Sequence, residues 1–176
     1  MIDRSKHFVL DIEANGPIIG KHSMIQFGLV NVQDHSVNFY GELRPLFNDY
    51  SEDALSSIGL THADTLKYDA APDTMRRFNE WLDTLPPGRP VCWSDNPAFD
   101  WGWLNWYMWT YLCDNRLGWS CRRIGDLDSG LTQNLRSQRW RKYKKTPHTH
   151  NALDDATGNA EALSKLMGMM LASSSG

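Results

Sequence analysis

His7-Phe8-Val9-Leu10-Asp11-Ile12 is an apolar, partly β-branched run interrupted by one aspartate; Glu13 follows, and Asn15-Gly16-Pro17 ends it. Such a run reads as a buried strand closed by a turn. Two further strands are expected over 23–32 and 36–43, joined as a hairpin by the polar turn Gln33-Asp34-His35. A short helix is expected over 52–57 and a longer one over 72–85. In the longer one Pro72 suits the first turn, Asp73 favours the positive helix end, and Met75, Phe78, Trp81, Leu82 and Leu85 recur at helical spacing. Beyond Pro86-Pro87-Gly88, residues 90–94 read as a fourth strand, 97–113 as a long helix, 122–127 as a fifth strand and 128–138 as a helix. Residues 139–149 read as a loop and 151–170 as the closing helix. Three strands followed by helices alternating with two more predict an α/β fold. Its mixed five-stranded sheet is flanked by helices and has its antiparallel part first. Residues 1–170 are expected to form one domain, with 171–176 a frayed tail.

A chain of 176 residues has the length of one domain, and 41% hydrophobic with 22% charged residues excludes disorder, collagen and coiled coil. No apolar run approaches the ~18 residues of a membrane span, and residues 1–6 lack a signal-peptide core, so no membrane partner is expected. The three cysteines, Cys92, Cys113 and Cys121, have no close pair that would build a thiolate zinc site. Their low, odd number points to reduced thiols and a cytoplasmic protein. The net charge of −3 hides an asymmetry: residues 116–145 carry nine Lys/Arg and two Asp, a net +7, against −10 for the remainder. A basic zone on an acidic protein points to a polyanionic partner.

Three acidic positions stand out. Residues two apart in a strand share a face, so Asp11 and Glu13 present their carboxylates side by side. A strand end meeting solvent would explain them, but like charges held together are commonly compensated by a divalent cation. Asp100 falls in the first turn of a strongly aromatic helix. Complementing the helix dipole explains Asp95 and Asn96 better than Asp100, because those two sit where a cap belongs. Asp155 opens the last helix, five residues after His150. Five helical residues rotate roughly 500°, so the two converge only if His150 lies in the preceding loop and folds over the helix start. Asp154 then points elsewhere and reads as solvated surface.

Together these segments resemble the motifs of DEDDh exonucleases of the DnaQ-like superfamily, which have an RNase H-like fold and include RNase T, oligoribonuclease and polymerase proofreading domains. Asp11 and Glu13 match its D-x-E motif; Asn96, Phe99 and Asp100 match N-x-x-F-D; His150, Ala152, Asp155 and Ala156 match H-x-A-x-x-D-A. Ile58-Gly59-Leu60-Thr61 is similar to an H-G-I-T-like segment, with Ile58 in place of the histidine. The resemblance spans residues 5–170. It implies a 3′→5′ exonuclease that releases nucleoside 5′-monophosphates from single-stranded RNA or DNA with two divalent cations, Mg²⁺ or Mn²⁺. By that resemblance Asp11 bridges both ions, Glu13 and Asp155 complete the site that holds the attacking water, Asp100 supports the second ion, and His150 takes the water's proton. Ala14 is implied beside the terminal nucleotide, Leu60 and Phe99 at its base, and Gly59 or Thr61 at its sugar. Trp103 is a further candidate for stacking.

The stretch 136–145 holds six basic residues in ten, interleaved with Trp140 and Tyr143. A solvated loop is the plain explanation for a charge run. Beside the third motif, Arg139, Arg141 and Lys142 are instead expected to follow phosphates. The many aromatic side chains could furnish a homodimer interface. A competing reading is a catalytically weak nucleic-acid-binding accessory module of a polymerase or repair complex, against which stand the five filled catalytic positions; an RNase H-like endonuclease is a third.

Overall fold

The computed structural model describes residues 3–173. Strand β1 (His7–Ala14) pairs antiparallel with β2 (Met24–Asn31), and β2 with β3 (Asn38–Glu42). On its other side β1 pairs parallel with β4 (Val91–Ser94), and β4 with β5 (Cys121–Arg123). The sheet order is therefore β3-β2-β1-β4-β5. The helices are α1 (Glu52–Ser57), α2 (His62–Thr65), α3 (Ala71–Asp83), α4 (Pro97–Leu112), α5 (Ile124–Thr132) and α6 (Ala152–Ser173). This is the expected mixed five-stranded, RNase H-like sheet flanked by helices.

The period-two geometry of β1 divides the core. Phe8, Leu10, Ile12 and Ala14 pack into one cluster with Met75, Phe78 and Leu82 of α3 and Trp103, Leu104, Tyr107 and Met108 of α4. Val9 belongs to the opposite cluster, with Val30 of β2 and Ala156, Ala160, Leu163, Leu166 and Met167 of α6. Asp11 and Glu13 continue the Val9 face and so point to the α6 side of the sheet.

The α6 helix sits very close to that face because small residues line the contact. Ala152, Ala156 and Ala160 are fully buried. Gly28, directly opposite Asp11, has no room for a side chain: a Cβ there would lie 2.5 Å from the Ala152 carbonyl oxygen.

Several boundaries differ from those read in the sequence. The fifth strand ends at Arg123, and the helix placed at 128–138 runs from Ile124 to Thr132. Ile124, Leu127 and Leu131 all pack toward α6, and their separations of three and four residues are those of one helix face. Gln133, in the left-handed region at φ 52°, ends α5. The basic segment read as a loop contains a 3₁₀ turn at Arg139–Tyr143 with Trp140 buried. Asp128, fully buried, organises that turn. It accepts from the Ser137 hydroxyl at 2.6 Å, the Trp140 N–H at 3.3 Å and Arg139 Nε at 3.3 Å. Helix α2 is an addition, and α6 continues to Ser173 rather than ending at 170. Residues 174–176 of the expected tail lie outside the described residues.

Gly28→Ala should lower stability by about 1–3 kcal/mol, the usual cost of overpacking a close contact. The check is a lower urea midpoint at unchanged slope.

Candidate active site

The first two motifs lie at the C-terminal ends of neighbouring parallel strands. Beyond β4, the Ser94 hydroxyl accepts from the Asn96 N–H at 2.8 Å and donates to the Asp100 carboxylate. This pairing holds Asp100, nearly buried, against the end of β1. From the other face, α6 brings in Asp155, exposed by only 2%. Asn151 caps that helix start, its side-chain oxygen accepting from the Leu153 N–H at 3.0 Å and the Asp154 N–H at 3.3 Å.

The carboxylates form two overlapping groups. Asp11, Glu13 and Asp155 have oxygens within 4.8 Å of one another, and so do Asp11, Asp95 and Asp100. Asp11 belongs to both. His150 does fold over the helix start, in the left-handed region at φ 59°. Its N–H and that of Thr149 each donate to Asp155 at 3.1 Å. His148 reaches the same carboxylate through Nδ1 at 2.8 Å, and the two histidine rings lie 4.2 Å apart.

Asp95 and His148 are thus part of the site although the sequence reading left them out. Asp95 sits where a helix cap belongs, which concealed it. His148 was signalled only by the alternation His148-Thr149-His150 before Asp155. Asp154, read as surface, accepts from the Thr149 hydroxyl at 2.9 Å, away from the carboxylate cluster.

The electrostatics follow from crowding. Burial pushes the Asp11 carboxyl well up, reinforced by Asp100 and Glu13. Burial raises Glu13 to about 8, with Asp155 and Asp100 adding repulsion. Asp100 is raised to about 7, also by burial, against the opposing hydrogen bond from Ser94. Among the described residues, no Lys or Arg forms an ion pair with any of these five carboxylates, and His148 Nδ1 approaches Asp155 alone of them. An all-oxygen cluster short of positive charge fits hard divalent cations.

The expected substrate residues are placed unevenly. Phe99 is partly exposed at the start of α4, and Asn96 is exposed one turn before it. Ala14 is largely buried beside Glu13, where the β1–β2 register shifts. Leu60 is partly exposed and follows Gly59, which needs its positive φ of 70° to turn the chain. Thr61 is engaged in a capping box with Asp64, its hydroxyl donating at 2.6 Å and accepting at 3.2 Å. Trp103 is fully buried against α3 and β1 and packs edge-on to Phe99, so it supports Phe99 and cannot stack on a base. The Arg139 guanidinium is held by Asp128, which gives it a structural role. Arg141 and Lys142 are exposed.

Carboxyls raised in the folded state bind protons that the unfolded chain has already released. That stability is present below the ordinary carboxylate range near ~4 and is lost as pH rises through 7 to 8. In chelator, the melting temperature should therefore fall from pH 6 to pH 9. A divalent cation should restore more of it at pH 9 than at pH 6. A flat metal-free profile in thermal denaturation would contradict this electrostatic picture.

A family model described as exonuclease matches residues 8–163. The 3'-5' DNA exonuclease Cap18 of Escherichia coli is 31% identical over 172 residues, 90% of each chain. Two solved structures share the fold. The nuclease domain of 3'hExo, a DEDDh family member bound to rAMP, superposes with a TM-score of 0.72 at 18% identity, over 92% of this chain and 91% of that one. The zinc-bound E. coli ExoI–ssDNA complex gives 0.68 at 15% identity, over 95% of this chain and 40% of that one. The family match runs from β1 into α6 and takes in all five clustered carboxylates, and the chain belongs to the exonuclease family of hydrolases.

Proposed function

We propose that the protein removes nucleotides from the 3′ end of single-stranded nucleic acid and releases nucleoside 5′-monophosphates. The similarity to Cap18 favours DNA as the substrate. The observation that carries the reading is the pair of carboxylate groups sharing Asp11. Asp11, Glu13 and Asp155 would hold one divalent cation, and Asp11 with Asp100, helped by Asp95, a second; Mg²⁺ or Mn²⁺ suits the oxygen donors. Two such ions supply charge neutralisation at the phosphate and an acidified water.

The chain's own residues do the remaining work. His150, on the loop above Asp155, accepts the proton of the attacking water at an imidazole nitrogen. The second histidine, His148, holds the Asp155 carboxylate through Nδ1 and so steadies the loop that carries His150. Phe99 and Leu60 flank the terminal base, Ala14 and Asn96 border the terminal nucleotide, and Thr61 lies at its sugar side. Tyr50 extends this rim: it is 37% exposed, stacks on His62 at 4.2 Å, and adjoins Ser51, whose N–H donates to the Asn15 carbonyl at 2.8 Å. Arg141 and Lys142 contact phosphates, giving affinity without sequence preference.

On 5′-labelled single strands in Mg²⁺ or Mn²⁺, the protein should produce a ladder that shortens from the 3′ end, while a circular strand stays intact. Asp11→Ala should abolish the ladder at unchanged circular dichroism. His150→Ala should slow turnover by about 10²–10⁴-fold. Binding without shortening would return the protein to the accessory-module reading.

A further inference from the structure

A second charged feature lies away from the carboxylates. A groove of about 990 Å³ runs beside the C-terminal half of α6. Lys142, Lys144 and Lys145 of the basic segment line it, together with Arg4 from the turn before β1, His35 from the β2–β3 turn and Lys165 from α6. Three separate parts of the chain thus supply Lys or Arg charge to one concavity, and His35 borders it. The carboxylate in its lining, Glu161, is engaged by the backbone N–H groups of Lys145 at 2.5 Å and Thr146 at 2.9 Å. Among the described residues, none of the five Lys/Arg side chains forms an ion pair. Two are held over aromatic rings instead: Lys142 Nζ lies 5.4 Å from the Tyr143 centroid and Lys144 Nζ 5.1 Å from that of Trp140. Lys and Arg side chains without carboxylate partners, gathered in a groove, are suited to a chain of phosphates.

One segment of chain and one helix link the groove to the active site. Residues 144–150 run back along α6: Thr146 meets Glu161, and Thr149 and His150 meet Asp155. Lys165 lies ten residues beyond Asp155 on the same helix. That is about 15 Å of helix, or about four stacked nucleotides at ~3.4 Å each. We infer that this groove is a binding track for the sugar-phosphate backbone of the same single strand, about four nucleotides to the 5′ side of the bond being cut, and that it makes the enzyme favour longer strands. The inference rests on the proposed exonuclease reading for the direction of the strand.

The test compares the wild type with Arg4→Glu/Lys165→Glu, and with Arg4→Gln/Lys165→Gln as a milder pair, on a dinucleotide and on a strand of about twenty nucleotides. Dinucleotide hydrolysis is the internal reference, because that substrate is too short to reach the groove. The charge-reversed pair should reduce kcat/KM on the long strand by at least about tenfold, with dinucleotide hydrolysis at the wild-type rate. Its dependence of log affinity on log salt should become shallower by about 0.7 for each phosphate that the groove no longer neutralises. An undiminished preference for the long strand with an unchanged salt slope would overturn the track and leave the groove to an acidic protein partner. An equal loss on both lengths would also overturn it, since the defect would then lie at the carboxylate site. If the wild type shortens no strand, the exonuclease reading fails. Fluorescence anisotropy of labelled short and long strands then decides the groove by itself.

Discussion

Carboxylates crowded together, with no Lys or Arg paired to them among the described residues, are the constraint on which the rest of this structure depends. Each would be hydrated if exposed, and each raises the cost of ionising its neighbours once it is buried. The fold accepts this cost at one place, where β1 delivers Asp11 and Glu13, α4 delivers Asp100 and α6 delivers Asp155. Holding them there requires close backbone approach. Gly28 and the alanines of α6 provide it on one side, and the Ser94 hydroxyl positions Asp100 on the other. The left-handed backbone of His150 belongs to the same arrangement, because it directs two successive N–H groups onto Asp155.

The positive charges are organised by a different device. One buried aspartate, Asp128, binds a hydroxyl, a backbone N–H and a guanidinium, and so fixes the turn that carries the basic segment. With that turn in place, Trp140 enters the core beside α6, and Lys142, Lys144 and Lys145 line the groove next to it. The protein is therefore polarised. Its acidic cluster lies at the C-terminal end of β1, and its basic groove lies toward the end where β1 begins, with residues 144–150 between them. A polyanionic strand would be attracted by the groove and would meet the repelling carboxylates only where cations offset them.

Much of this was legible in the chain itself. The apolar run of β1, the hairpin and the spacing of Met75, Phe78 and Leu82 in α3 are local patterns, so they could be read without knowing what they pack against. The region after β4 was less legible. Residues 122–127 are too short a run to separate a strand from the first turn of a helix, and Ile124, Leu127 and Leu131 packing together on α6 show the helix. Trp103 shows the same limit, because an aromatic residue one turn after a motif aspartate can face the site or the core. Only the packing of α4 against β1 and α3 places it inside.

Sequence alone determined the identity and order of the three acidic motifs, because each is a short segment whose spacing already encodes its local geometry. Tertiary structure decided which side chains join across motifs. Asp95 enters the Asp100 group, His148 reaches Asp155, Arg139 is withdrawn into the ion pair with Asp128, and Arg4, His35 and Lys165 meet the basic segment. Some of these pairings follow from the close seating of α6 and the return of the loop along it, and others from the pairing of β1 with β4 and the turn after α5. Spacing along a chain carries no record of such contacts, since they depend on which faces of distant elements bury each other.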